Sequence, residues 1–132
     1  MFIGRWQPFH KGHEWLVEQQ LQKGKAILLA IRDVPPDDKQ PFTAEQVKNI
    51  IETRYANDPR VRAIIIPDIE SVNYGRGVGY EVIEHQPNSQ VSAISATQIR
   101  EMIRLGNDDW RGYIDSSVQH LVEDVVKSKT VV

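Results

Sequence analysis

The sequence predicts an α/β protein in which a parallel sheet is covered by helices on both faces. Short aliphatic runs bounded by glycine or proline alternate with amphipathic stretches along the chain. This alternation at this spacing is typical of β-α-β units, whose strands are parallel. Polar stretches follow the ends of the predicted strands, and ligands bind beyond those ends in such sheets.

The first half of the chain predicts three strands and two helices. The strands are residues 2–4, 25–31 and 61–66, all rich in aliphatic side chains. The first helix covers residues 12–22 and ends at a glycine. The second helix begins after Thr43, a residue type that caps helix N-termini well.

The second half is less regular. Residues 73–85 fit either a strand or a short helix, and we predict a helix. A short strand is expected at residues 91–94, followed by a helix at residues 95–105. A final amphipathic helix covers residues 116–127.

Length and composition fit one globular domain, residues 1–132, with a formal net charge of −2. This near-balance of charge argues against a general nucleic-acid-binding protein. The chain contains no cysteine, which excludes disulfides and thiolate metal sites. No apolar run reaches the ~20 residues that a membrane span needs, and no leader is evident. We expect a cytoplasmic protein that binds neither membranes nor nucleic acids, with homo-oligomer formation left open.

The first chemical motif is residues 4–13, directly after the first strand. His10 and His13 flank Gly12 at the start of a helix, where free backbone N–H groups attract phosphate. Gly12 would let a ligand approach the backbone closely. A zinc site is the competing interpretation, but it needs a third ligand, and the other histidines lack metal-ligand spacing.

The second motif is residues 94–100, again where a predicted strand leads into a helix. Ser95 and Thr97 offer hydroxyl groups beside the free N–H groups of that helix, and Arg100 lies one turn further on. Alone, this pattern is only an N-cap followed by an amphipathic helix. Together with the first motif it supplies a second anion site at the same sheet edge, and two such sites suit a triphosphate.

These two motifs resemble the signatures of the His-x-Gly-His nucleotidylyltransferase superfamily. The form Gly-Arg-x-Gln-Pro-Phe-His-x-Gly-His is most similar to archaeal-type nicotinamide-mononucleotide adenylyltransferases. Residues 41–45, 65–69 and 109–111 also resemble that group. The resemblance implies a shortened Rossmann-like fold that transfers a nucleoside monophosphate, AMP being favoured, from a nucleoside triphosphate to a phosphorylated small molecule, releasing pyrophosphate.

The resemblance also implies roles for individual residues. His10 and His13 would stabilise charge at the α-phosphate, with Lys39 nearby as a third catalytic residue. The residues expected to bind the nucleotide are Arg5, Gly12, Ser95, Thr97 and Arg100. Magnesium is expected to arrive with the triphosphate, held mainly by phosphates and water, with no metal site on the protein.

Two departures from the pattern keep alternatives open. Few residues lie between positions 87 and 95, where longer adenylyltransferases build further strands and part of the acceptor pocket. Short members of the superfamily include CTP-dependent enzymes acting on alcohol or polyol phosphates, and a non-catalytic nucleotide-binding module is a further alternative. The Gly-rich stretch 74–80 lacks the lysine of a phosphate-binding P-loop. We interpret it as an acceptor-side loop in which Arg76 contacts the acceptor.

Overall fold

A parallel three-stranded sheet forms the centre of the protein. The computed structural model describes residues 1–77 and 79–130. The strands are β1 (Phe2–Gly4), β2 (Ile27–Asp33) and β3 (Val61–Pro67), in the spatial order β1-β2-β3. Gly4 pairs with Ile31, which pairs in turn with Ile65, so the three strands end at one edge of the sheet. The predicted parallel α/β class is confirmed.

Helices connect and flank these strands. Helix α1 (Lys11–Leu21) crosses from β1 to β2, and α2 (Ala44–Arg54) crosses from β2 to β3. As predicted, α2 begins after Thr43, whose side chain accepts a hydrogen bond from the Gln46 amide at 3.1 Å. The remaining helices are α3 (Ser89–Ser92), α4 (Ala96–Arg104), two 3₁₀ turns (Asp108–Tyr113 and Ser116–Val118) and α5 (Gln119–Thr130).

The core lies against the central strand. Leu29 and Ile31 on one face of β2 and Ala30 on the other are fully buried, so β2 is covered on both sides. On β3, Ala63 is buried, whereas Ile64, which faces the other way, is 40% exposed. The second face of the sheet is therefore covered less completely toward β3. No helix in residues 1–77 and 79–130 is long and apolar enough to cross a membrane.

The predicted helix at residues 73–85 is wrong for the part of it that is described, and Val78 lies outside the described residues. Gly77 and Gly79 have left-handed backbone angles, φ 72° and 79°, which interrupt a right-handed helix. Tyr80 and Ile83 are exposed, so there is no packed apolar face to stabilise a helix here.

The predicted strand at residues 91–94 is also wrong. Asn88 caps one turn of helix, α3, by accepting a hydrogen bond from the Val91 amide at 3.0 Å. None of the residues of α3 is buried. The short apolar run was therefore misread because the local cap, rather than sheet pairing, decides the conformation.

Two boundaries also differ. Strand β2 begins and ends two residues later than predicted, and the final helix opens with a separate 3₁₀ turn. The predicted helix at residues 95–105 is confirmed as α4.

Candidate active site

The loop after β1 is fixed to the segment before α2 by one side chain. The buried Gln7 amide nitrogen donates to the Phe42 carbonyl at 2.9 Å, and the Phe42 amide donates back to Gln7 Oε1 at 3.0 Å. These two segments follow neighbouring strands, β1 and β2. Gln7 therefore holds together two loops at the edge of the sheet where ligands are expected.

His10 and His13 form a stacked pair at the start of α1. Their ring centroids are 3.7 Å apart and the ring planes differ by 17°. His10 Nδ1 accepts a hydrogen bond from the Gly12 amide at 3.0 Å, and His13 Nδ1 accepts one from the His10 amide at 3.2 Å. The two histidines therefore cap α1 reciprocally, which is the arrangement known as a capping box.

These caps determine where each neutral ring carries its proton. Because Nδ1 accepts a backbone N–H in both rings, the proton of each neutral imidazole is on Nε2. Within the described part of the chain, neither Nε2 of His10 or His13 has a hydrogen-bond partner, and neither is among the fully buried polar atoms without one. The pair therefore presents two Nε2–H donors to solvent.

Burial keeps both rings uncharged at neutral pH. Desolvation lowers the pKa of His10 from 6.5 to about 4. Desolvation, with a smaller contribution from the charge of His10, lowers the pKa of His13 to about 3. The site thus holds two neutral hydrogen-bond donors in its ligand-free form, rather than two fixed positive charges.

Gly12 is required by the histidine pair itself. A Cβ at this position would lie 2.8 Å from Cε1 and 3.0 Å from Nδ1 of the His10 ring. That separation is shorter than real Cβ contacts, so a side chain here would displace the ring. The absence of a side chain thus preserves the cap of α1, a reason independent of any ligand.

Arg100 joins the second motif to the first. Its buried guanidinium donates from Nη1 to the Gln7 carbonyl and from Nη2 to Thr97 Oγ1, the latter at 3.4 Å. Arg100 Nε is buried without a partner in the described residues. Ser95 begins α4 by accepting a hydrogen bond from the Gln98 amide at 3.3 Å. The predicted meeting of the two motifs is therefore seen in the structure.

Arg5 has the least satisfied guanidinium near the motifs. Its Nε and Nη2 are buried and have no hydrogen-bond partner in the part of the chain that is described. The pKa of Asp37 is lowered chiefly by the Gln40 amide and that of Asp68 chiefly by the hydrogen bond from Arg32; the Arg5 charge adds a smaller effect to both without binding either carboxylate. Asp68 instead pairs with Arg32 at 2.7 Å. Arg5 is thus a cation with unused donors at the carboxyl edge of the sheet.

Lys39 lies on a tight turn between β2 and α2. Asp37 Oδ1 accepts hydrogen bonds from the backbone amides of Lys39 and Gln40, at 2.9 Å and 2.7 Å. Arg104, on α4, donates to the Asp38 carbonyl at 3.0 Å. The turn that carries the exposed Lys39 is therefore held against the helix that carries Arg100.

The proposed contact of Arg76 with the acceptor stays a prediction. Arg76 is exposed, and no hydrogen bond or ion pair joins it to another residue of the described chain. The sequence also contained a signal that its interpretation passed over. Gln7 stands inside the quoted motif, and an amide side chain between apolar neighbours is a residue that needs a buried partner.

A second concave part of the described surface does not contain the histidine pair or Arg100. A cleft of about 480 Å³ beside β3 is lined by Tyr55, Arg62, Ile64 and their neighbours, and by neither histidine of the pair nor Arg100. Among the described residues, no group of three or more His, Asp or Glu side chains could hold a metal ion. The unpartnered donors around His10, Arg5 and Arg100 therefore define the candidate site.

The chain is similar to known enzymes over nearly its whole length. A nicotinamide-nucleotide adenylyltransferase of Pyrobaculum neutrophilum is 25% identical over 156 aligned positions, covering 95% of this chain and 87% of that protein. One from Methanococcus aeolicus is 26% identical over 153 positions, covering 95% and 88%. No family model matches the chain.

A solved structure matches a shorter part. It is a bifunctional NMN adenylyltransferase/ADP ribose pyrophosphatase from Francisella tularensis, complexed with AMP and a Mn ion. The match is 36% identical with a TM-score of 0.45, and it covers 51% of this chain and 22% of that one.

The relatives confirm the predicted class, a nucleotidyltransferase enzyme. Within that class, the resemblance to archaeal nicotinamide-nucleotide adenylyltransferases is confirmed as well.

Proposed function

We propose that this protein transfers AMP from ATP to the phosphate group of a small-molecule acceptor, with nicotinamide mononucleotide as the first candidate, and releases pyrophosphate. The observation that carries the proposal is the set of unused donors at one sheet edge: two histidine Nε2–H groups and the buried guanidinium atoms of Arg5 and Arg100. The similarity to adenylyltransferases over 95% of the chain supports the same reaction.

The bonds that form and break in this reaction determine the role of the two histidines. An oxygen of the acceptor phosphate forms a bond to the α-phosphorus of ATP. The bond from that phosphorus to the oxygen bridging the α- and β-phosphates breaks, and pyrophosphate leaves with the electron pair. Such a transfer depends on positioning and charge stabilisation rather than on a covalent nucleophile. His10 and His13, as neutral Nε2–H donors, bind the oxygens on which charge develops.

The polyphosphate tail is bound by the second motif. Arg100 has one buried Nε without a partner, and a charged donor of this kind binds a phosphate oxygen strongly. Ser95 and Thr97 stand at the N-terminal end of α4, where backbone amides and the helix dipole favour an anion. Arg5 and Lys39 add positive charge from the two preceding loops.

A divalent cation, Mg²⁺, accompanies the triphosphate and neutralises part of its charge when bound. The described residues offer no acidic cluster that would hold such an ion alone. The residues present therefore fit a cation held chiefly by phosphate oxygens and water, which is usual for Mg²⁺.

This chain has gaps in its alignment with its relatives. The alignment with the Pyrobaculum neutrophilum protein extends over 156 positions, more than the 132 residues of the whole chain. Between β3 and α4 the described residues contain one turn of helix and no strand. The lack of a strand in this part of the described chain, where longer adenylyltransferases build further strands, supports a second candidate, cytidylyl transfer to an alcohol or polyol phosphate.

A pyrophosphate-release assay tests both candidates. ATP, CTP, GTP and UTP are each combined with Mg²⁺ and with nicotinamide mononucleotide, glycerol phosphate or a sugar-alcohol phosphate. We expect pyrophosphate with ATP and nicotinamide mononucleotide, and none with the variant that carries both His10→Asn and His13→Gln. Release only with CTP and a polyol phosphate would select the second candidate. Binding of nucleotides without release under every combination would indicate a non-catalytic module.

A further inference from the structure

Trp6, next to the histidine pair, has an energetically unfavourable backbone conformation. Its backbone φ is 54°, and it is the one residue other than glycine with a positive φ in residues 1–77 and 79–130. A left-handed backbone is unfavourable for a bulky side chain and calls for compensation elsewhere in the structure.

The indole ring of Trp6 has a second unfavourable feature, a buried N–H without an acceptor. Trp6 is 8% exposed, and its Nε1 is buried with no hydrogen-bond partner among the described residues. A buried donor without an acceptor destabilises the folded state. A leucine or phenylalanine would fill an apolar space without this second unfavourable feature, so filling space does not account for a tryptophan here.

The contacts of the ring show what it does. The Trp6 ring meets the His13 ring edge to face, with centroids 4.8 Å apart and planes at 86°. Phe9 packs on both rings, at 5.8 Å from Trp6 and 5.6 Å from His13. On the other side the indole lies over Gly4, where a Cβ would stand 3.1 Å from a ring carbon. The ring is thus held between the end of β1 and His13.

We propose that Trp6 is a positioning residue of the transfer reaction: its indole ring holds the His13 imidazole against His10 and excludes water from one side of it. This fixes the ring orientation in which Nδ1 accepts the His10 amide and Nε2–H stays free. As a role in catalysis it rests on the proposed function, whereas the hold on His13 belongs to the ligand-free protein.

Trp6→Leu tests that hold without any substrate. Histidine titrations followed by NMR report the pKa of His13, which burial lowers to about 3 in the intact protein. With water admitted beside the ring, we expect the proton affinity of His13 to rise at least about tenfold, one unit toward its usual value near 6.5. Trp15→Leu is the matched control, because Trp15 has no ring contact with either histidine of the pair. That variant should leave the His13 titration unchanged.

Gly4→Ala provides a second, milder test if Trp6→Leu does not fold. The added methyl group, 3.1 Å from the Trp6 ring, pushes the indole by a few tenths of an ångström, and no functional side chain is removed. We expect the His13 pKa to shift by less than in Trp6→Leu, because the indole moves against the imidazole but is still present. In a Trp6→Leu background, Gly4→Ala should add nothing, because the ring through which it acts is absent.

Turnover provides the functional readout. In Trp6→Leu we expect kcat to fall about tenfold with KM for the triphosphate changed less than threefold, since misplacing a donor affects the transition state more than binding. An unchanged His13 titration in both Trp6→Leu and Gly4→Ala would overturn the proposal. If the His13 titration shifts in the variants but the intact protein transfers no nucleotide, the proposed function is contradicted. The contact by which Trp6 holds His13 would still be supported.

Discussion

Arg100 donates a hydrogen bond from Nη1 to the backbone carbonyl of Gln7, 93 positions earlier in the chain. Through this contact the helix that follows residue 95 is joined to the loop that leads into His10 and helix α1, which carries His13.

The Nε2–H donors of the histidine pair should be needed for turnover more than for binding. His10→Asn and His13→Gln keep side chains that can cap α1, but they remove the imidazole donors. We expect each change to lower kcat by about 100-fold or more, the usual scale for losing a transition-state donor. The dissociation constant for ATP, measured by calorimetry, should change far less. His120→Asn, at an exposed position on α5, is the control. Equal losses in affinity and turnover would leave the pair only a binding role.

Arg100 should discriminate triphosphate from monophosphate. Because its proposed partners are the β- and γ-phosphates, Arg100→Ala should weaken ATP binding by about 10- to 150-fold, the value of a charged hydrogen bond. AMP binding should weaken much less. Calorimetric titration of both ligands, with the exposed Arg62→Ala as control, measures the difference. A matching loss for AMP would show that Arg100 acts on the nucleoside or through its contact with Gln7.

The stability of the free protein should fall as the pH is lowered through the range of the histidine titrations. The pKa values of His10 and His13 in the folded state, about 4 and about 3, lie below the value near 6.5 in the unfolded chain. The unfolded state therefore binds more protons between these limits, and the stabilisation present above pH 6.5 is lost toward pH 4.

Urea unfolding at pH 7.5 and pH 5 should show a lower free energy of unfolding at pH 5, by about 1 kcal/mol or more. The loss should shrink in the variant that carries both His10→Asn and His13→Gln, and an equal loss there would assign it to other groups.

Gly12 should not tolerate even one methyl group. A Cβ 2.8 Å from the His10 ring displaces the N-cap, and losing such a cap costs about 0.5–2 kcal/mol. Gly12→Ala should therefore lower the melting temperature and reduce turnover together, although alanine is the better helix former. Gly112→Ala is the matched control, because a Cβ there would meet no atom within 4 Å. Full activity of Gly12→Ala would show that the ring can move without consequence.

ATP should be preferred over CTP by at least about tenfold in kcat/KM, which requires only ~1.4 kcal/mol. The motif form that resembles adenylyltransferases and the similarity to such enzymes both favour adenine. The residues proposed to bind the phosphates cannot provide this preference, since both nucleotides carry the same triphosphate. Thermal shift with each nucleotide measures the preference without knowledge of the acceptor. Stronger stabilisation by CTP would reverse the choice of base and leave the reaction type unchanged.

The elements that the sequence predicted well are those with clear boundaries. Thr43 and Ser95 stand where helices begin, and the aliphatic run of β2 lies between glycine and paired prolines. The helix predicted around Tyr80 was wrong because the pattern of apolar residues predicts burial, whereas these side chains are exposed. The strand predicted at residues 91–94 was wrong because the helix cap from Asn88 outweighs the preference of three apolar or β-branched residues for a strand.

The sequence predicted where some candidate residues lie but not the contacts that hold them, and their functional roles stay predictions. The spacing of His10 and His13 indicates one end of one helix, and the structure agrees. It could not show that each ring is turned by a backbone amide on Nδ1, because that depends on rotamers. The link from Gln7 to Phe42 and the strained backbone of Trp6 depend on tertiary packing, which local patterns do not contain.

The contact between Arg100 and Gln7 also bears on the order in which the protein is assembled during synthesis. Both histidines and their cap belong to the first thirteen residues, and α1 can form soon after they leave the ribosome. The loop before α1 is bonded to α4 only when residue 100 has been made. A nascent chain that stops before α4 would contain the whole first motif and yet lack the guanidinium that joins it to the second. Nucleotide binding during translation should therefore begin abruptly, late in the chain, rather than grow with its length.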